Sequence, residues 1–159
     1  MCTGSDQTLS LGSIAGEGLS YTSFEHSLEA PARIETAHFA SRRDLSLHTL
    51  TRINATTLTV TSRNTGRRDG DEVILLFAAP PHAGVDGAPL KSLVAFERIS
   101  LVVGASARTE LAVGAQHVAL ARPSDGAGAL GVERAVATGA WRFWVGPHGQ
   151  ADAVGVEVR

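Results

Sequence analysis

Three glycines, Gly126, Gly128 and Gly131, stand at the G-x-G-x-x-G spacing that lets a tight turn close its backbone amides on a pyrophosphate. That chemistry needs a strand immediately before the first glycine and a parallel sheet around it. Arg122, Pro123, Ser124 and Asp125 intervene instead, and too little chain follows to complete such a sheet, so the glycines read as a flexible loop. The six histidines, His26, His38, His48, His82, His117 and His148, show no H-x-x-x-H spacing and no cysteine partner. They read as scattered surface residues, without a zinc site. Asp69, Asp71 and Glu72 crowd carboxylates that would attract a hard cation, yet the other ligands of a calcium loop are missing and a solvated turn is the better reading. No serine occupies a G-x-S-x-G elbow, which leaves a hydrolase triad without an anchor. Asn54, Ala55 and Thr56 spell a glycosylation acceptor that matters only in an exported chain. No catalytic, cofactor-binding or metal-binding residue is predicted.

One aromatic could recognise a ligand. Alternation sets Trp144 opposite the face of Trp141, Phe143 and Val145, and an outward indole stacks on sugar rings or anchors a partner surface. Tryptophan is also highly buried on average, so cover by a neighbouring loop stays open beside contact with a partner.

The elements that must position these residues read as strands. Phe24 to Ala30, Asp44 to Leu50 and Thr57 to Ser62 alternate apolar with polar residues, the last through Leu58 and Val60 set among β-branched threonines. Asn64, Thr65 and Gly66 turn the chain, and a charged stretch from Arg67 to Glu72 leads into Val73, Ile74, Leu75, Leu76 and Phe77. A run apolar on both faces predicts a central strand covered twice. Pro80, Pro81, Gly84, Gly87 and Pro89 make Ala79 to Pro89 an exposed, mobile loop. Extended chain resumes from Leu93 to Leu101 around Phe96 and Ile99, turns at Gly104, and continues from Ala107 to Val113, where Thr109, Leu111 and Val113 alternate with Arg108 and Glu110. Arg122 to Gly139 is looser. Trp141, Phe143 and Val145 follow, then a turn at Gly146 to Gly149, and Val154, Val156 and Val158 complete the pattern. About seven short strands predict an all-β fold, an antiparallel sandwich of the immunoglobulin or fibronectin type III kind.

Composition agrees. The 159 residues fit one domain, 43% are hydrophobic and 19% charged, and 17 glycines with 6 prolines disfavour long helices. A net charge of −2 is the wrong sign for a phosphate-binding face, so no nucleic acid partner is expected. The longest apolar run, Val73 to Ala79, stops at Pro80, well short of the ~20 residues of a membrane helix, and no membrane partner is expected. Met1 to Asp6 shows neither a basic nor an apolar signal region, and the localisation stays open. Cys2, the single cysteine, has no partner for an internal disulfide.

The order of the segments resembles a known module. Asn64-Thr65-Gly66 followed by Gly70-Asp71-Glu72-Val73 is similar to an N-T-G-x-x-x-G-D-E-V signature, and Gly18-Leu19-Ser20-Tyr21-Thr22-Ser23-Phe24 to a G-L-S-Y-T-x-F opening. Pro89-Leu90-Lys91-Ser92-Leu93-Val94-Ala95-Phe96-Glu97-Arg98-Ile99 resembles P-x-K-x-L-x-x-F-x-R-V, and Leu101, Gly104 and Ser106 follow as L-x-x-G-x-S. Together they resemble the fibronectin type III-like domain that ends many family 3 glycoside hydrolases, with wording closer to the β-xylosidase branch than to the β-glucosidases. Phe77 stands where the family often has tyrosine, and Ala95 where it commonly has glycine.

The resemblance implies a fibronectin type III-like domain over residues 16–159, with 1–15 a short leader or the scar of a truncated reading frame. It implies a noncatalytic accessory module whose partners are the catalytic domains of a family 3 glycoside hydrolase, in cis or lost from the reading frame, with polysaccharide as a further partner. Full-length relatives are often secreted. In the family the nucleophilic aspartate and the acid/base residue belong to domains ahead of this one, so no enzyme activity of its own is expected. An apolar patch should mark the partner's place. The alternative is a free-standing carbohydrate-binding module, which would need aligned aromatics; 5% aromatic residues, chiefly Tyr21, Trp141 and Trp144, make a thin supply.

Overall fold

A computed structural model describes residues 21–35, 54–123, 132–146 and 152–159. The leader, Gly16 to Ser20, the strand expected over Asp44 to Leu50, Asp125, the glycines of 126–131 and His38, His48 and His148 lie outside the described residues, as do the side chains of Asn54 and Ala55. In chain order the strands are β1 (Phe24–Glu29), β2 (Arg33–Ile34), β3 (Asn54–Asn64), β4 (Gly70–Ala79), β5 (Ser92–Leu101) and β6 (Ser106–Gly114). A 3₁₀ turn (Ala115–Val118) leads to β7 (Ala119–Pro123), β8 (Val132–Val136), β9 (Gly139–Val145) and β10 (Val154–Val158). No helix among the described residues is long and apolar enough to cross a membrane.

The fold is an all-β sandwich. One sheet runs β1-β3-β6, with antiparallel neighbours. Leu58 and Val60 of β3 lie opposite Leu111 and Thr109 of β6 and turn inward, while Arg108 and Glu110 face water as the alternation requires. The other sheet runs β2-β10-β9-β4-β5. Its pairs are antiparallel except β2 with β10, which run parallel through Arg33 opposite Glu157 and Ile34 opposite Val158. Pro31 lies where the chain leaves β1 for the second sheet, and its missing amide cannot extend a ladder. Between the sheets pack Ile34, Ile74, Leu76, Val113, Val156 and Val158, with Trp141 and Phe143 stacked at 6.4 Å between ring centroids.

Three expectations change. β4 is covered on both faces only from Leu76 onward; Val73, nearer its start, is 47% exposed. The region from Arg122 to Gly139 is not uniformly loose. β7 and β8 form a two-stranded antiparallel hairpin, Ala119 opposite Val136 and Pro123 opposite Val132, so ten strands are described where about seven were expected. Within Ala79 to Pro89, Ala79 and Pro80 are buried, and the exposed tip is a hydrogen-bonded turn in which the amides of Val85 and Ala88 donate to the carbonyls of His82 and Val85.

Candidate functional site

The signature around Asn64 is built as a structural hub. Asn64 is fully buried, and its Nδ2 donates to the carbonyls of Arg68 at 2.8 Å and Leu101 at 3.0 Å. Its Oδ1 accepts from Thr22 Oγ1 at 2.8 Å and from the Gly66 amide at 3.0 Å. The amide group thus satisfies its donors and acceptor while tying the β3–β4 turn to the end of β5 and to the segment before β1. Gly66 is required by close approach: a Cβ there would stand 2.5 Å from the Ser23 backbone nitrogen. The carboxylates of this region are dispersed. Asp69 accepts from the Val103 amide, while Asp71 pairs with Arg98 at 2.6 Å and accepts from Ser100 Oγ. The Ser100 and Arg98 hydrogen bonds, then the Arg98 charge, hold the Asp71 carboxyl below the usual range. No cluster of metal-binding side chains occurs among the described residues.

The outer face of β4 and β5 is the exposed apolar surface. Leu75 pairs with Phe96 and Phe77 with Leu93, and cross-strand partners share a face. A bulge between Leu76 and Phe77 inserts Val94 as an extra residue, which sends Leu93 and Phe96, three apart in sequence, to the same side. Phe96 is 68% and Leu93 49% exposed, and Val73 continues the strip. β5 is the edge of its sheet, so the strip is open along one border. Sequence reasoning expected an apolar patch but did not locate it here, because residue parity fails across a bulge.

Trp144 is on the same outer face but is only 1% exposed. It stacks on Phe77 at 6.1 Å between ring centroids, with Leu75, Ala83 and Ala153 packed around the pair. Of the two readings left open by the sequence, cover by a neighbouring loop is the one observed. Its indole N–H is buried without an acceptor. Trp141 is buried too, and its Nε1 donates to the Ala137 carbonyl at 2.8 Å.

An open groove of about 910 Å³ separates the turn at 81–89 from the β7–β8 hairpin. Val85, Leu93, Leu120 and Val136 supply apolar walls, with His117 and Arg134 on the hairpin side. His117 Nδ1 accepts from the Gly114 amide at 3.0 Å, and Arg134 Nη2 donates to the carbonyls of Gln116 and Ala119. Burial, then the Arg134 charge, lowers the His117 pKa below 6.5.

His26 is likewise more than a scattered surface residue. Its Nδ1 lies 2.9 Å from Ser62 Oγ and its Nε2 3.8 Å from Glu72 Oε1, a serine–histidine–carboxylate order that no sequence motif announced. Ser62 is fully buried, so its hydroxyl cannot meet a substrate carbonyl. Burial lowers the His26 pKa and raises that of Glu72. The arrangement fastens β1 to β3 and approaches β4.

Residues 72–148 match the family model of the fibronectin type III-like domain. The probable β-glucosidase J of Neosartorya fischeri is 32% identical over 99 residues, covering 62% of this chain and 10% of that protein. The β-D-xylosidase 1 of Arabidopsis thaliana is 33% identical over 115 residues, covering 63% of this chain and 15% of its own length. The chain resembles the fibronectin type III-like domain of the family 3 glycoside hydrolases. A solved GH3 exo-β-xylosidase in complex with a xylobiose aziridine probe shares the domain's fold, with a TM-score of 0.68 at 24% identity over 91% of this chain and 18% of that one. The chain thus spans about a tenth to a seventh of the curated relatives' length, from the 10% and 15% coverage of the two proteins. In this sandwich the signature residues divide into two groups: Asn64, Gly66 and Thr22 hold the fold, whereas Leu93 and Phe96 project from it.

Proposed function

We propose that the fibronectin type III-like domain, taken over residues 16–159, is a noncatalytic accessory module that packs against the catalytic domains of a family 3 glycoside hydrolase of β-xylosidase or β-glucosidase type and supports their stability or substrate access. The carrying observation is the exposed strip of Val73, Leu93 and Phe96 on the outer face of β4 and β5. Large apolar side chains clustered on one sheet face lower the free energy of the chain when a partner covers them, and their exposure serves no purpose in the fold of the domain itself. The relatives named β-glucosidase and β-xylosidase, in which this region is a small part of a longer chain, supply the partner's class. Carbohydrate binding by the free domain draws less support: Trp141 and Trp144 are buried, and the exposed Tyr21 precedes β1 of one sheet whereas Phe96 is on β5 of the other.

The test is a domain exchange. This chain replaces the fibronectin type III-like domain of the GH3 exo-β-xylosidase, and thermal stability and aryl β-xyloside turnover are compared for the exchange and its Phe96→Asp variant. The expected result is an active hybrid in which Phe96→Asp lowers the melting temperature of the whole enzyme. Equal stability and turnover of the two hybrids would remove the β4–β5 face from this role.

A further inference from the structure

We infer that His117 is an acid-sensitive latch: protonation of its ring releases the Gly114 amide and loosens the β7–β8 hairpin that walls the groove. The hydrogen bonds fix the starting state. Because the Gly114 N–H donates to Nδ1 at 3.0 Å, the neutral ring carries its proton on Nε2. That nitrogen lies 3.4 Å from Gln116 Nε2, while Gln116 Oε1 is buried without a partner. Exchanging the two amide termini of Gln116 turns that nitrogen–nitrogen contact into a hydrogen bond, since Oε1 then accepts from His117 Nε2–H. The neutral ring therefore bridges Gly114, where β6 ends, to the turn that begins the hairpin.

A second proton must go to Nδ1, which already faces a donor. Two N–H groups then oppose each other, and the buried Gly114 amide loses its acceptor. The new charge also lies beside Arg134, whose Nη2 is committed to the carbonyls of Gln116 and Ala119. The titratable residues lining the groove are His82, Asp86, His117 and Arg134, and Asp86, the carboxylate among them, is exposed on the opposite turn. In the hairpin register Arg122 stands opposite Glu133. The hairpin is a separate two-stranded sheet, and such a ribbon is marginal without support. The Ala137 amide closes the hairpin base on Val118 O at 2.8 Å, and the Trp141 indole of β9 ties that base to the sandwich by donating to Ala137 O. Loosening the Gly114–His117 bridge weakens the same base from the β7 side.

The test uses the full chain and reads amide exchange protection, corrected for intrinsic rates, together with histidine ring NMR titration. Protection at residues 115–121 and 132–138 should fall as pH drops through the His117 titration, tending to about tenfold for each unit separating the ring's closed and open pKa values. Residues 58–62 of β3 should keep their protection through that step. The step should vanish in His117→Gln and persist in His26→Gln, which separates the two half-buried rings. Hairpin protection that stays flat across the His117 titration, or a step that survives undiminished in His117→Gln, would overturn the latch.

Discussion

Thr22 Oγ1 donates to Asn64 Oδ1 at 2.8 Å, joining residues 42 apart in sequence. Two stretches that look like independent family wording, the opening before β1 and the turn after β3, are thus halves of one buried contact. Gly70 belongs to it as well, since a Cβ there would stand 2.8 Å from Thr22 Cγ2.

Truncating the hub should cost stability. Asn64→Ala leaves the buried carbonyl of Leu101 without its donor, a loss of about 1–3 kcal/mol by itself. Gly66→Ala forces a backbone shift against Ser23 and should cost a similar about 1–3 kcal/mol. Urea titration of each variant reads both, and wild-type midpoints would show that the turn is dispensable.

Phe143 and Phe96 of the second sheet should separate core from surface. Phe143, fully buried, should lose about 3–5 kcal/mol on truncation to alanine. Phe96→Ala should stay within about 0.5 kcal/mol in the isolated chain, because its ring is mostly in water already. Comparable losses at the two positions would mean that Phe96 is needed by the fold and is not held out for a partner.

How far the sequence reached depended on parity. Alternation placed Leu58, Val60, Leu111, Val113, Trp141 and Phe143 in the core, and each is buried. Parity also set Trp144 on the outer face, but it cannot register that the turn near Ala83 folds back over that face. The Val94 bulge defeated it at Phe96. β7 and β8 escaped because alanines, Arg122 and Pro123 carry almost no hydrophobic contrast; their pairing depends on partners across the hairpin. The Ser62, His26 and Glu72 grouping arises from three strands and has no local signature.

Aryl β-xyloside and β-glucoside should not be turned over by the isolated chain. A retaining mechanism needs two carboxyl groups about 5–5.5 Å apart at a sugar-sized pocket. Among the described residues the groove offers Asp86 alone, Asp69 and Asp71 are engaged at exposed strand ends, and Glu72 faces His26. Assays of the chain and of single carboxylate variants check this; turnover abolished by one particular Asp or Glu substitution would refute it.

Acidification below neutrality should weaken the fold through two half-buried histidines. His26 and His117 both have folded pKa values below 6.5, so the unfolded chain binds more protons than the folded one in the window beneath that value. Their contribution is present above 6.5 and is lost as pH falls through the folded values. Glu72, raised above 4.5, works in the reverse sense: its contribution is present below 4.5 and is lost as pH rises through its folded value. Urea midpoints between about pH 7.5 and about pH 5.5 should therefore fall, and should flatten in the doubly substituted His26→Gln, His117→Gln chain. A midpoint that rises on acidification over that range would contradict the assignment.

The parallel pairing of β2 with β10 bears on how the chain comes off the ribosome. β10 follows every other strand in chain order, yet it sits between β9 and β2 in the second sheet. Until Val154 to Val158 has emerged, Ile34 has no ladder neighbour and the β9 edge carrying Trp141 and Phe143 is unpaired. The first sheet, β1-β3-β6, has no such debt and can form while synthesis continues. The nascent domain therefore passes through a half-built stage that presents a tryptophan-bearing strand edge, the kind of surface that chaperones bind and that misassociates when crowded.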